Sequence, residues 1–192
     1  MSQYVTLVRH AKSSWKNQGQ SDFDRPLNDR GNSDGPIMAK RLVSRQCIPD
    51  LMLVSSARRA QETSLYMKQA FDISPKQYQL VDDLYLAEPE TLLAVMATVP
   101  ADTRHLMIIA HNPGLESLSE LLAGRTLPPM PTLGIRHFAC PSIQALAPGY
   151  TSEPRSSDTH IRRRSQRSDT HKDINTKGVS LLFDDYPKRE TD

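Results

Sequence analysis

Two histidines and two arginines, each placed at or just beyond the end of a short apolar run, are the residues of this 192-residue chain best suited to chemistry. Arg9 and His10 follow residues 4–8, Arg59 lies shortly after residues 51–54, and His111 follows residues 106–110. A guanidinium holds an oxyanion with planar, two-pronged hydrogen bonds, and a neutral imidazole keeps a free lone pair. Together these groups suit chemistry on an anion. Each alone is more often a surface or structural residue. At three strand ends they form a set, because burying like charges together is expensive unless an anion neutralises them.

The elements that must position them are readable from periodicity. Residues 4–8 are apolar and β-branched, which predicts a strand, and open α/β sheets form their crevices at the C-terminal ends of strands. Residues 106–110 are apolar on both faces, as expected of a central strand covered by helices on both sides. Residues 78–81 read as an edge strand, and residues 135–139 and 179–183 as short strands pairing in an antiparallel edge. A first helix is expected from Asn32, with Ser33 and Asp34 as caps, Pro36 in its first turn, and Met38, Leu42 and Val43 as its apolar stripe. A second begins at Arg58 or Arg59, where Ala60, Ser64, Met67 and Phe71 recur at helical spacing. A third runs from Pro89 or Glu90 to about Ala97, and a fourth follows Pro113, carries Leu115, Leu118, Leu121 and Leu122, and stops at Gly124. The expected fold is an α/β three-layer α/β/α sandwich, its central sheet mostly parallel with an antiparallel edge. The long polar connection over residues 12–31 lies where loops line binding sites.

Composition bounds the partners. The length suits one domain over residues 1–192, and a formal net charge of +2 does not mark a nucleic-acid binder. Cys47 and Cys140 give no disulfide framework and suit a reducing compartment. Neither a leader pattern nor an apolar run near the roughly 20 residues of a membrane span is visible, so a cytoplasmic protein with no membrane partner is expected. Residues 151–177 are basic and nearly free of large apolar side chains, with Ser157-Asp158-Thr159-His160 echoed by Ser168-Asp169-Thr170-His171. That composition predicts a disordered insertion, read first as a solvated segment without a role and second as a basic arm that attracts an acidic partner or nucleic acid.

Four sequence words then occur in order: Arg9-His10 with Ser13 and Trp15, Arg25-Pro26-Leu27 with Gly31, the stretch 55–63, and His111-Asn112-Pro113. Over about residues 4–138 and again 179–188, the chain strongly resembles the histidine phosphatase superfamily, also called phosphoglycerate mutase-like. Within it, the chain is similar to the short SixA-type phosphohistidine phosphatases. The resemblance implies a phosphoglycerate mutase-like fold in which His10 is the nucleophile that takes a phosphoryl group. It makes Arg9, Arg59 and His111 the phosphate-binding residues, His111 by donating a hydrogen bond, with Ser13 beside them. It assigns that role to Arg59 rather than its neighbour Arg58. Glu88 stands where many relatives place a proton donor, and reads equally well as an exposed carboxylate opening a helix. Arg25 either binds an acidic side chain that organises the long loop or helps to recognise substrate.

Guanidiniums near His10 disfavour a further positive charge and keep its ring neutral. They also supply the field that a metal would otherwise provide, and no metal-ligand spacing connects His105 or His111 to acidic or cysteine partners, so no cofactor or metal is expected. The implied activity is hydrolysis of phosphohistidine on a protein or peptide through a phospho-His10 intermediate, the partner being a phosphorylated protein and the site taking a phosphate or sulfate ion. One alternative is a phosphatase for a small phosphomonoester. Another is a phosphate-binding module without turnover.

Overall fold

The computed structural model describes residues 2–17, 19–147 and 176–188. Six strands form one sheet: β1 (Gln3–Arg9), β2 (Leu51–Ser55), β3 (Tyr78–Val81), β4 (His105–Ala110), β5 (Ile135–Cys140) and β6 (Ser180–Asp185). Their order is β3-β2-β4-β1-β5-β6. The first four in that order are mutually parallel, and β5 and β6 add antiparallel pairs at one side. The expected mostly parallel sheet with an antiparallel edge is therefore found, with β3 at the opposite edge.

Four α-helices cover the sheet: α1 (Asp29–Ser44), α2 (Arg58–Phe71), α3 (Pro89–Ala97) and α4 (Gly114–Ala123). Alternation along the strands divides the core in two. Val5, Leu7, Leu53, Leu106 and Ile108 pack with Leu92, Leu93 and Met96 of α3 and Leu115, Leu118 and Leu122 of α4. Val8, Met52, Val54, Met107 and Ile109 pack with Met38, Ala39 and Leu42 of α1 and Ala60, Met67 and Phe71 of α2. Every residue of β4 is buried, which explains the unbroken apolar run after His105. Among the described residues no helix is long and apolar enough to cross a membrane.

Two features of α1 differ from expectation. It starts three residues before Asn32, because the Asn28 side chain caps it by accepting from the Gly31 N–H at 2.9 Å. Ser33 and Asp34 are thus inside the helix, and Pro36 lies in its interior rather than its first turn. The bond Pro36 cannot donate would have gone to Asn32, which is exposed, so that carbonyl can turn to solvent. Gly31 permits this start: a Cβ there would collide with the backbone of Lys12, two residues beyond His10. The basic insertion expected at 151–177 lies, apart from its last two residues, outside the described residues.

Candidate active site

Strand register brings the two histidines together. Arg9 pairs with Ala110 across β1 and β4, so the residues that follow, His10 and His111, leave the sheet side by side. The His10 N–H donates to the Ala110 carbonyl at 3.1 Å, and the two rings lie 5.0 Å apart. β2 ends at Ser55, and α2 begins three residues later, which places Arg59 in its first turn. Arg59 is 2 % exposed, against 8 % for His10 and 2 % for His111, so all three are removed from bulk water.

The partners fix the proton positions. Nδ1 of His10 lies 2.8 Å from the Ala11 carbonyl, which can only accept, so Nδ1 carries the proton. Nε2 then holds the lone pair, and it accepts from Nε of Arg59 at 3.2 Å. Burial, followed by the charges of Arg59, Arg9 and Arg25, outweighs the Ala11 bond and pushes the His10 pKa down to about 3. The ring is neutral at any ordinary pH and points its lone pair into a cluster of cations.

His111 shares the same arginine. Its Nδ1 lies 3.2 Å from an Arg59 amino group, which can only donate, so Nε2 is protonated and donates to the Ser55 hydroxyl at 2.8 Å. Burial, then His10 and Arg59, lowers its pKa to about 3. In this tautomer His111 accepts from Arg59 where the resemblance has it donating to a phosphate. The difference is reversible when Arg59 turns that donor away from Nδ1, because the Ser55 hydroxyl can then rotate and donate to Nε2, leaving the proton on Nδ1.

Arg9 approaches from the α4 side. It donates to the Met130 carbonyl at 2.7 Å, while its buried Nε has no hydrogen-bond partner among the described residues. The Met130 backbone is held in turn by Asn112, which donates to the same carbonyl at 3.0 Å, and by Glu116, which accepts from the Met130 N–H at 3.0 Å. Asn112 also donates to Glu116 at 2.8 Å. Burial lowers the Arg9 pKa, against the opposing pull of the Glu116 carboxylate.

The loop over residues 12–28 supplies a group that the sequence reading did not single out. Asp22 accepts from Arg59 at 3.0 Å and from the Tyr85 hydroxyl at 2.8 Å on Oδ2, and from Arg25 at 2.8 and 3.0 Å on Oδ1. Its backbone carbonyl takes another Arg59 donor. Burial favours the neutral acid, but hydrogen bonds from Tyr85 and Arg25 and the charges of Arg59 and Arg25 prevail, bringing its pKa to about 2. Arg25 donates to the Ser13 hydroxyl at 2.6 Å and lies 3.6 Å from the exposed Trp15 ring, so it does bind an acidic side chain that ties the loop together. Ser13 is buried and meets the site through Arg25. The loop's far end is pinned where the Leu27 N–H donates to Glu62 of α2 at 2.6 Å.

Two further residues named from the sequence face solvent. Arg58 is exposed and pairs with Glu62 at 2.7 Å. Glu88 is exposed at the N-cap of α3 and makes no capping bond with its side chain. Among the described residues, no three of His, Cys, Asp and Glu gather in a group that could hold a metal ion. Asp22, Tyr85 and Ser55 were missed. The only signal was that Asp22 stands three residues before Arg25, within reach of its fork.

With that geometry in place, comparison with known proteins is decisive on family. Residues 5–133 match the family model of the histidine phosphatase superfamily, branch 1. The chain belongs to that superfamily. It is 33 % identical to SixA from Agrobacterium tumefaciens, a candidate phosphohistidine phosphatase, over 72 % of this chain and 92 % of that one, with a TM-score of 0.66. It also shares its fold with the protein histidine phosphatase SixA complexed with tungstate, at 23 % identity, covering 70 % of this chain and 86 % of that one with a TM-score of 0.63. An uncharacterized chloroplastic protein of Arabidopsis thaliana is 29 % identical over 66 % of this chain, and the match spans 62 % of that relative's length. As a histidine phosphatase superfamily member, the chain has the α/β fold of phosphoglycerate mutase-like proteins.

Proposed function

We propose that this histidine phosphatase superfamily member hydrolyses phosphohistidine on a protein or peptide, with His10 as the nucleophile. Nε2 of His10 attacks phosphorus, the bond from phosphorus to the substrate nitrogen breaks, and the departing imidazole takes a proton from solvent at that nitrogen. A water oxygen then attacks the phosphorus of phospho-His10, releasing inorganic phosphate and returning the lone pair to Nε2. Arg9 and Arg59 hold the phosphoryl oxygens and offset their charge, in the role that a metal fills elsewhere. The unpartnered Nε of Arg9 offers one such donor. His111 adds another once the Ser55 hydroxyl donates to its Nε2.

An observation that favours phosphohistidine over an alcohol-derived ester is how Asp22 is held, with Arg59, Arg25 and Tyr85 all donating to its carboxylate. It is the carboxyl bonded to the arginine that meets His10, and at a pKa of about 2 it is a poor proton donor. An alkoxide leaving group needs a nearby acid, whereas an imidazole protonated from solvent departs as a neutral ring. The similarity to SixA from Agrobacterium tumefaciens points the same way. Comparing kcat/KM on a phosphohistidine peptide with a panel of small phosphomonoesters tests the reading. The peptide is expected to be the better substrate by at least about tenfold, and a phosphomonoester that outpaces it would reject phosphohistidine as the substrate class.

A further inference from the structure

We propose that Asp22 is a specificity-determining residue, a tethered carboxylate that holds the arginine donors a phosphoryl group needs and must yield them for that group to bind. The proposal deepens the reading above, since it assumes that the phosphoryl group binds between His10 and Arg59.

The donors of Arg59 are nearly all committed within the protein. Nε faces His10, one amino group faces the Asp22 carbonyl, and the other is shared between Oδ2 of Asp22 and Nδ1 of His111. Of the five N–H bonds on a guanidinium, this leaves one without a partner among the described residues. A phosphoryl group in contact with His10 cannot take more than one Arg59 hydrogen bond unless Asp22 or a histidine gives one up. The histidine bonds are neutral contacts at 3.2 Å, but the carboxylate is the charged rival, and two anions on one guanidinium repel one another.

Asp22 is also placed to move. Its side chain is 39 % exposed, against 2 % for Arg59, so the carboxylate can leave toward water while the arginine stays. The Asp22 backbone is held, by the Arg58 N–H donating to the Phe23 carbonyl at 3.0 Å and by Arg59 donating to the carbonyl of Asp22 itself, so the side chain alone moves and the tether stays short. Tyr85 and Arg25 provide its hold in the arginine cluster. Because it remains ionised, weak singly charged anions meet a competitor of equal charge on a short tether. A phosphoryl dianion carries twice that charge and displaces it. Asp22 therefore raises the threshold for binding and limits retention of the product phosphate.

Inorganic phosphate is the probe, titrated by calorimetry into the purified full chain, its Asp22→Asn variant and an Arg59→Ala control. Removing the charge while keeping the side-chain shape is expected to tighten phosphate binding by about tenfold, the scale of one charge-assisted hydrogen bond. Unchanged or weaker binding by Asp22→Asn overturns the proposal. Should that variant lose the native near-UV circular dichroism, Tyr85→Phe takes its place. It removes one donor to Oδ2 and is expected to tighten phosphate severalfold, with unchanged or weaker binding again overturning the proposal. The Arg59→Ala control separates the two readings. If it binds phosphate as well as wild type, the assumed site is wrong; if it loses phosphate while the Asp22 variant gains nothing, only the competitor role fails.

Discussion

His10 and His111 face each other at 5.0 Å across the C-terminal ends of β1 and β4, while His105 and His137 face each other at 5.2 Å near the opposite end of the same sheet. Both pairs are buried, and burial is the leading cause that lowers all four pKa values. Their hydrogen bonds run differently. In the second pair, Nδ1 of His137 donates to the Thr6 hydroxyl at 2.8 Å, the hydroxyl donates to Nε2 of His105 at 2.7 Å, and Nδ1 of His105 donates to the Ile48 carbonyl at 3.0 Å. The chain ends on backbone, with Tyr4 and Phe183 stacked on the faces of His137. In the first pair, both inward lone pairs face one guanidinium. A buried histidine pair is thus a structural brace when a hydroxyl closes its bonds, and becomes a candidate nucleophile when cations surround its lone pair.

Substitutions can break this contrast. Arg59→Ala should cost kcat/KM about 10³-fold or more, since it removes the shared donor of the first pair, and Arg59→Lys should restore little because an ammonium lacks the planar fork. His137→Phe and Thr6→Val should leave kcat/KM within about threefold. Thr6→Val should instead lower stability by about 1–3 kcal/mol in urea unfolding, because a buried ring nitrogen of each histidine loses its partner. A large activity loss in Thr6→Val would erase the distinction between the two pairs.

Acid sharpens it. In the unfolded chain each histidine titrates near about 6.5, whereas in the folded protein His137 titrates at about 4 and His10 and His111 at about 3. Below pH 6.5 the unfolded chain therefore binds more protons, so stability from these rings is full above about 6.5 and declines as pH falls toward the folded values. Urea midpoints measured from pH 8 to pH 4 should show that decline, and His137→Phe should flatten part of it. The smallest effect expected is that of Glu88→Gln, less than about threefold on phosphohistidine turnover, because an imidazole protonated from solvent needs no nearby acid to leave.

The strands and the His10, His111 and Arg59 group were legible because buried parallel strands are written as apolar runs and their polar ends stand out against them. The start of α1 was not, since Asn28 and Gly31 act through one side-chain bond and one close backbone approach, neither of which is periodic. Asp22 was hidden for a related reason. It sits in a long loop with no repeat to phase it, and its meeting with Tyr85 joins residues 63 apart in sequence. Arg25 gave half of that answer, through its need for an acidic partner.

Trapping the covalent intermediate tests the central claim most directly, that the lone pair on Nε2 of His10 takes the phosphoryl group. Wild type and His10→Ala are mixed with ³²P-labelled phosphohistidine peptide and quenched rapidly in alkali, which preserves a phosphoimidazole. Label on wild-type protein and none on His10→Ala is the predicted result. Label retained by His10→Ala, or turnover by wild type with no label trapped at any time, would contradict it.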